Sequence, residues 1–245
     1  GRTGRITPNA VIEPTKVAGS TITRSTLHNE DYIKAKDLRI GDTVYIHKAG
    51  DVIPEVGEVL LDRRPKDAKP FVMITHCPIC GEALYKEENE ADHYCININC
   101  PARVLESVIH FCERKAMNIE GMGEANVKML LDMGYIKNIA DIYELHQYSY
   151  ELKHIPGWGE KSVNNLLAAI EKSKQNSLER LLFALGILNV GEKTAKILAN
   201  EFNDLDTLIN TTSERLAEVD NIGEVIAQTI QSFFNEEKNI GLINT

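Results

Sequence analysis

Four cysteines stand within 24 residues, as Cys77-Pro78-Ile79-Cys80, a spacer of fourteen residues, and Cys95-Ile96-Asn97-Ile98-Asn99-Cys100. Two close pairs let each short loop offer two thiolates to one tetrahedral ion, and the spacer folds the loops together. Zinc supplies the charge that keeps four thiolates deprotonated in one place. Four sulfurs close the coordination shell, so a zinc ion here is structural and has no open position for a reactive water. Gly81, directly after the first pair, suits the tight turn such a loop requires. The alternatives on residue types alone are two disulfides, reduced buried thiols, or His76 or His93 in place of one sulfur. Cys112 has no partner in spacing and falls among Leu105, Val108 and Ile109, where a buried free thiol is expected.

A second pattern could bind anions without any basic side chain. The chain reads Ile119-Glu-Gly121-Met-Gly123, Ile155-Pro-Gly157-Trp-Gly159, Leu188-Asn-Val-Gly191 and Val219-Asp-Asn-Ile222-Gly223. The closing glycines recur at intervals of 36, 32 and 32 residues, an internal repeat. Each unit is a hairpin loop feeding a helix N-terminus, where free amides and the positive end of the helix dipole form a phosphate site. Glycine lets the backbone take positive φ and come close to an oxygen anion. Lys161 and Lys193 follow two of these glycines and add a charge contact. For any single unit, the competing reading is a glycine that only ends one packed helix and starts the next. The fourth unit departs most, with Asn221 where the first glycine would stand. Trp158 at the second tip either packs between hairpins or lies against a sugar.

These groups need elements to position them. Ile6–Glu13, Ser20–Leu27, Thr43–His47 and Val52–Leu61 are rich in Val, Ile and Thr, with Gly19, Gly41-Asp42 and Ala49-Gly50-Asp51 as turn signals between them. Asn29 caps one short helix running to Ala35. Several strands and one helix in about 70 residues suit a small closed barrel of the OB-fold type. From Pro101 the apolar residues take helical spacing: Val127, Leu130, Leu131; Val163, Leu166, Leu167, Ile170; Ala195, Leu198, Phe202; Ile226, Ile230, Phe233, Phe234. The expected fold is multidomain: a small all-β OB-fold barrel over 1–70, a four-cysteine zinc finger over 71–102 and an all-α helix-hairpin-helix domain with four hairpins over 103–245. Hinges are expected around Arg63-Arg64-Pro65 to Pro70 and near Pro101.

Composition bounds the function classes. Of the 245 residues, 43% are hydrophobic and 26% charged, and only 24 are Gly or Pro, so a disordered or collagen-like chain is excluded. No apolar run is long enough to cross a membrane. Gly1 opens the chain with neither Met nor an export signal, as expected of a piece of something longer. The net charge of −9 is uneven, with a balance of +2 over residues 1–76, −4 over 77–100 and −7 beyond. Any nucleic-acid contact must rest on a few placed cations and on backbone groups, because bulk charge will not supply it.

Gly1-Arg2-Thr3-Gly4, Thr7-Pro8, Glu13-Pro14, Thr26-Leu27-His28-Asn29 and Ala49-Gly50-Asp51-Val52-Ile53-Pro54 resemble the barrel of bacterial NAD-dependent DNA ligases. Cys77-Pro-x-Cys80, Cys100-Pro101-Ala102, His110-Phe111 and Ala116-Met117-x-Ile119-x-Gly121-x-Gly123 continue the resemblance through the finger into the hairpins. It implies an enzyme that seals 5′-phosphate/3′-hydroxyl nicks in duplex DNA, in replication and repair, in the bacterial cytoplasm with the nucleoid. NAD donates AMP to a lysine of a nucleotidyltransferase domain ahead of the barrel, with magnesium. No Lys-x-Asp-Gly occurs in this sequence, so this chain is expected to bind neither NAD nor magnesium, to hold no catalytic residue, and to be inactive alone. A BRCT module is expected to be absent, the chain stopping at Thr245. By the resemblance, the barrel lies across the minor groove at the nick, with Arg2 and Lys48 as contacts and Val52 and Ile53 pressing on the groove. Lys48 stands where family members often carry Arg, and it offers a point charge rather than a bidentate fork. Arg24 is either a further phosphate contact or an exposed strand residue. The other readings are a freestanding DNA-repair binding protein without enzymatic activity and a protein-interaction scaffold.

Overall fold

The computed structural model describes residues 1–50 and 52–236. Asp51, part of the expected turn after Ala49-Gly50, and residues 237–245, the end of the expected helical domain, lie outside the described residues. The chain divides into two compact units, Gly1 with residues 3–102 and Arg2 with residue 103 onward.

In the first unit, β1 (Arg5–Ile6), β2 (Asn9–Val17), β3 (Ser20–Thr26), α1 (Glu30–Ala35), β4 (Val44–Ala49) and β5 (Ile53–Val59) precede a finger carrying β6 (Leu84–Tyr85) and β7 (His93–Cys95). The strand expected over Ile6–Glu13 is two strands, broken at Thr7-Pro8, where proline brings no N–H to a ladder. The expected Val52–Leu61 strand ends at Val59 and turns into a short 3-10 helix over Leu61–Arg63. The four long strands form one sheet in the order β2-β3-β5-β4, with β3 and β5 parallel at Thr26↔Glu55 and the other pairs antiparallel. The edge strands β2 and β4 approach each other, which curls the sheet as an OB-fold requires. Ala18 (φ 46°) and Gly19 (φ 78°) close the β2–β3 hairpin in the left-handed pair of conformations that matches strand twist.

Asn29 caps α1, its side chain accepting from the Tyr32 N–H. Ile33 of this helix packs on Leu38 and Val56 as the barrel core. Arg64, in a segment expected to hinge, is pinned instead: its guanidinium meets Asp42 and Asp37 at 2.8 Å each, and Arg39 Nη1 donates to the Ala68 carbonyl. Barrel and finger fall in one compact unit, whose boundary lies just past the other expected hinge, Pro101.

The second unit is helical: α2 (Pro101–Cys112, entering from the first unit), α3 (Glu124–Asp132), α4 (Ile139–Ile142), α5 (Ser149–Lys153), α6 (Glu160–Ser173), α7 (Leu178–Ala184), α8 (Glu192–Phe202), α9 (Leu205–Ile209), α10 (Ser213–Ala217) and α11 (Glu224–Asn235). Among the described residues its apolar side chains form two cores rather than one. The first gathers Val127 and Leu130 of α3 with Val163, Leu166 and Ile170 of α6. The second gathers Ala195 and Leu198 of α8 with Ala227 and Ile230 of α11. The four hairpins thus work as two pairs, and α7 supplies Ala184 to one core and Leu182 to the other. Cys112 is buried in the first core, and burial pushes its thiol up to about 12.

Candidate metal centre and nucleic-acid interface

The two cysteine pairs are brought together by local structure. The Gly81 N–H donates to the Cys77 carbonyl at 2.9 Å, with Gly81 at φ 78°, and the Cys77 N–H donates to Glu82 at 2.8 Å. Cys95 lies on β7 opposite Leu84, and Cys100 follows a turn in which its N–H donates to Asn97. The ligand atoms of Cys77, Cys80, Cys95 and Cys100 all lie within 4.8 Å of one another. Cys77 Sγ is 3.9 Å from Cys100 Sγ, and Cys80 Sγ is 3.5 Å from Cys95 Sγ. Sulfurs bound to one tetrahedral zinc are about 3.8 Å apart, given Zn–S near 2.3 Å, whereas a disulfide needs about 2.05 Å. All five cysteines are free thiols, so the disulfide alternative fails and the donor set fits structural zinc.

Electrostatics point the same way. Hydrogen bonds from the Cys80 and Ile79 backbone pull Cys77 down to about 7, while burial pushes Cys95 up to about 12. A cation is what would let all four be thiolates together. Neither histidine joins them: His76 Nδ1 bonds Thr75 Oγ1, and His93 Nε2 faces Glu30 at 3.6 Å.

The repeated hairpins share one backbone. Gly121 (φ 92°) and Gly157 (φ 83°) occupy the left-handed region, and so do Asn189 (φ 67°) and Asn221 (φ 68°) at the matching positions. In every unit the next residue donates back across the turn: Met122 to Ile119, Trp158 to Ile155, Val190 to Ile187 and Ile222 to Val219. The closing glycine is then the helix N-cap, its carbonyl accepting from Val127, Val163, Ala195 or Ala227 at 2.9–3.0 Å. The glycine slot of the third unit, missed in the sequence, is Asn189, legible in hindsight because Asn tolerates this region.

The cap glycines have no internal reason to be glycine. Gly123, Gly159, Gly191 and Gly223 have extended φ and ψ, and a Cβ on any of them would meet nothing within 4 Å. Ser, Asp or Asn would cap the helix at least as well. The surrounding charges differ between units. Lys161 and Lys193 are the second residues of α6 and α8, where α3 and α11 have Ala125 and Val225. Every one of these helices starts with Glu. Glu160 is 3.6 Å from Lys153 and Glu192 is 3.4 Å from Lys115. Trp158 is partly buried against the first core.

The barrel residues are dispersed. Val52 and Ile53, at the β4–β5 tip, are 75% and 54% exposed. Lys48 pairs with Pro54 and Ala49 with Ile53, so alternation puts Lys48 and Ile53 on opposite faces. The Lys48 ammonium donates to Ser20 Oγ at 3.0 Å. Arg24, exposed on β3, pairs with Val11. Arg2 counts with the second unit, where its guanidinium donates to the Gly186 carbonyl and burial holds its pKa below the ordinary arginine value.

Among the described residues, no helix is long and apolar enough to cross a membrane. Comparison with protein families matches residues 1–68 to the NAD-dependent DNA ligase OB-fold domain, 76–102 to the NAD-dependent DNA ligase C4 zinc finger domain and 180–243 to the helix-hairpin-helix motif. Proteins named DNA ligase are similar along almost all of the chain. The Bacillus pumilus protein is 50% identical over 244 residues, covering 100% of the chain, and the Acetivibrio thermocellus protein is 47% identical over 239 residues, covering 98%. The chain spans 36% of the length of each of these relatives.

Proposed function

The barrel, zinc-finger and hairpin segments of this chain match the C-terminal part of the NAD-dependent DNA ligases, and from that we infer a platform that clamps nicked duplex DNA for sealing. In this reading adenylyl transfer, with NAD and magnesium, belongs to a nucleotidyltransferase domain of the same polypeptide, outside these residues. The chain alone binds DNA and seals nothing. Its working division is a barrel to residue 70, a finger over 71–102 and hairpins from 103 to 245, acting in the bacterial cytoplasm on nucleoid DNA. The barrel contributes Arg24 and Lys48 to phosphates and Val52 and Ile53 to the groove, and Arg2, at the start of the chain, is a further phosphate contact.

The observation that carries this reading is the set of four cap glycines with no internal cause. A phosphate drawn against the first-turn amides needs the space that a side chain would fill, and it is held by those amides and the helix dipole. Such sites let a chain of net charge −9 bind a polyanion.

Fluorescence anisotropy with nicked, intact and single-stranded DNA of equal length, over a salt series, tests it. Nicked duplex is expected to bind tightest, with affinity falling as salt rises. Gly159→Leu and Gly191→Leu should weaken binding while the fold persists, because a Cβ at either position meets nothing within 4 Å. Equal affinity for these variants and the parent chain would remove the hairpins from the interface.

A further inference from the structure

The finger's sheet does not belong to the finger alone. Its strand order is β1-β7-β6, so the edge strand is Arg5–Ile6, from the very start of the chain, paired antiparallel as Arg5↔Tyr94 and Ile6↔His93. The Cys95 N–H, on a metal-ligand residue, donates to the Gly4 carbonyl at 2.8 Å. Ile6 packs against the buried cluster of Cys77, Cys95 and Cys100. Arg5 meets Asp92 at 3.2 Å, and the finger also reaches α1 through Lys86–Asp31 at 3.5 Å and His93–Glu30 at 3.6 Å.

We propose that the placement of Gly4, Arg5 and Ile6 is set by the metal centre, so that zinc binding orders β1 and the backbone leading into it against the finger. This rests on the structural-zinc reading. A two-residue strand makes too few hydrogen bonds to hold itself, and a single hairpin is marginal in water. The Arg5–Asp92 and Lys86–Asp31 pairs each have an exposed partner and add little. What orders β1 is the rigid face of β7, and β7 is held at Cys95 by the four-sulfur site. By contrast, β2–β5 have their own core of Ile33, Leu38 and Val56 and do not need the metal. Linkage makes the coupling reciprocal: if zinc orders β1, then β1 must tighten zinc by the same factor.

The test uses the full 245-residue chain, with zinc content measured first; a purified chain holding no zinc would sink the zinc reading itself. Hydrogen exchange is then compared between the loaded chain and the chain stripped by a chelator. Amides of residues 4–6 and 93–95 should lose protection together, while β2–β5 keep theirs. Unchanged protection at residues 4–6, or equal loss throughout the barrel, overturns the proposal. In the reverse direction, Ile6→Ala should weaken zinc affinity, measured by equilibrium competition with a chromophoric chelator, by about tenfold, within the roughly 5- to 150-fold range usual for coupled sites. Arg5→Ala, which removes the bonds to Asp92 and Tyr94 but leaves the packing of Ile6 in place, should change it by less. A zinc affinity for Ile6→Ala equal to that of the parent chain, with circular dichroism showing both folded, also overturns it.

Discussion

Asn221 holds its backbone at φ 68°, in the left-handed region that Gly157 occupies at φ 83° in the equivalent turn. The fourth hairpin therefore keeps the geometry of the second without its glycine. A Cβ in this region ordinarily costs about 1–2 kcal/mol, and Asn is among the few residues that visit it routinely. Asn221→Ala and Asn189→Ala should each destabilise the chain by about 1 kcal/mol, read as a lower midpoint in thermal or urea unfolding. Asn221→Gly should leave stability within about 0.5 kcal/mol. An alanine variant as stable as the parent would mean that the turn tolerates rearrangement.

Lys161 and Lys193 offer a second measurement. In the proposed interface each meets one phosphate beside a cap glycine, so Lys161→Ala and Lys193→Ala should each reduce the slope of log affinity against log salt by about 1, nearly independent of DNA sequence. Lys115, 73% exposed on its side chain, pairs with Glu192 at the same helix start. An exposed pair contributes little to folding. Lys115→Ala should therefore leave the unfolding midpoint in place while the uncovered Glu192 repels phosphate and lowers affinity. Unchanged slopes in both Lys161 and Lys193 variants would remove these residues from the contact.

These features were unequally legible in the sequence. The metal ligands lie within 24 residues, so spacing alone located them, and the Asn29 cap and Gly19 turn are equally local signals. The hairpin repeat was legible because four copies recur at near-equal intervals. Its grouping into two pairs was not, since near-equal intervals carry no mark of which helices share a core. Asn189 does not stand out as a turn residue when glycine is the signal sought, although the physical requirement is positive φ. The pairing of Arg5–Ile6 with His93–Tyr94 joins residues almost ninety positions apart, and no local periodicity reports it. Lys48, read as a phosphate contact, and Ile53, read as a groove contact, lie close together in the linear motif. Strand alternation separates their faces, which only the register Lys48↔Pro54 reveals.

That separation makes a prediction for the barrel. Val52 and Ile53 are large, apolar and mostly exposed, so replacing them removes no core packing. Val52→Ser and Ile53→Ser should change stability by no more than about 0.5 kcal/mol. Both should weaken duplex binding without altering its salt slope, because an apolar contact releases no counterion. Lys48→Ala should instead lower the slope by about 1. If Ile53→Ser and Lys48→Ala gave the same salt signature, the division of roles along this hairpin would be wrong.

Acid should reveal the lock at the end of the barrel. Hydrogen bonds from Arg64 hold the Asp42 and Asp37 carboxyls below the usual carboxylate range, and the same two partners raise the Arg64 guanidinium above its ordinary value. The Asp42 side chain is only 3% exposed, so solvent screens this pair weakly. For carboxyls lowered on folding, the stabilisation is fully present above the unfolded-state value of about 3.9 and is lost as pH falls through the folded values. The parent chain should thus lose stability steeply below about pH 4. Asp42→Asn should be less stable at neutral pH and show a shallower loss in acid, the two curves converging once the parent's carboxyl is protonated. Parallel curves down to about pH 2, well below the ordinary carboxylate value, would show that this pair is not what acid breaks.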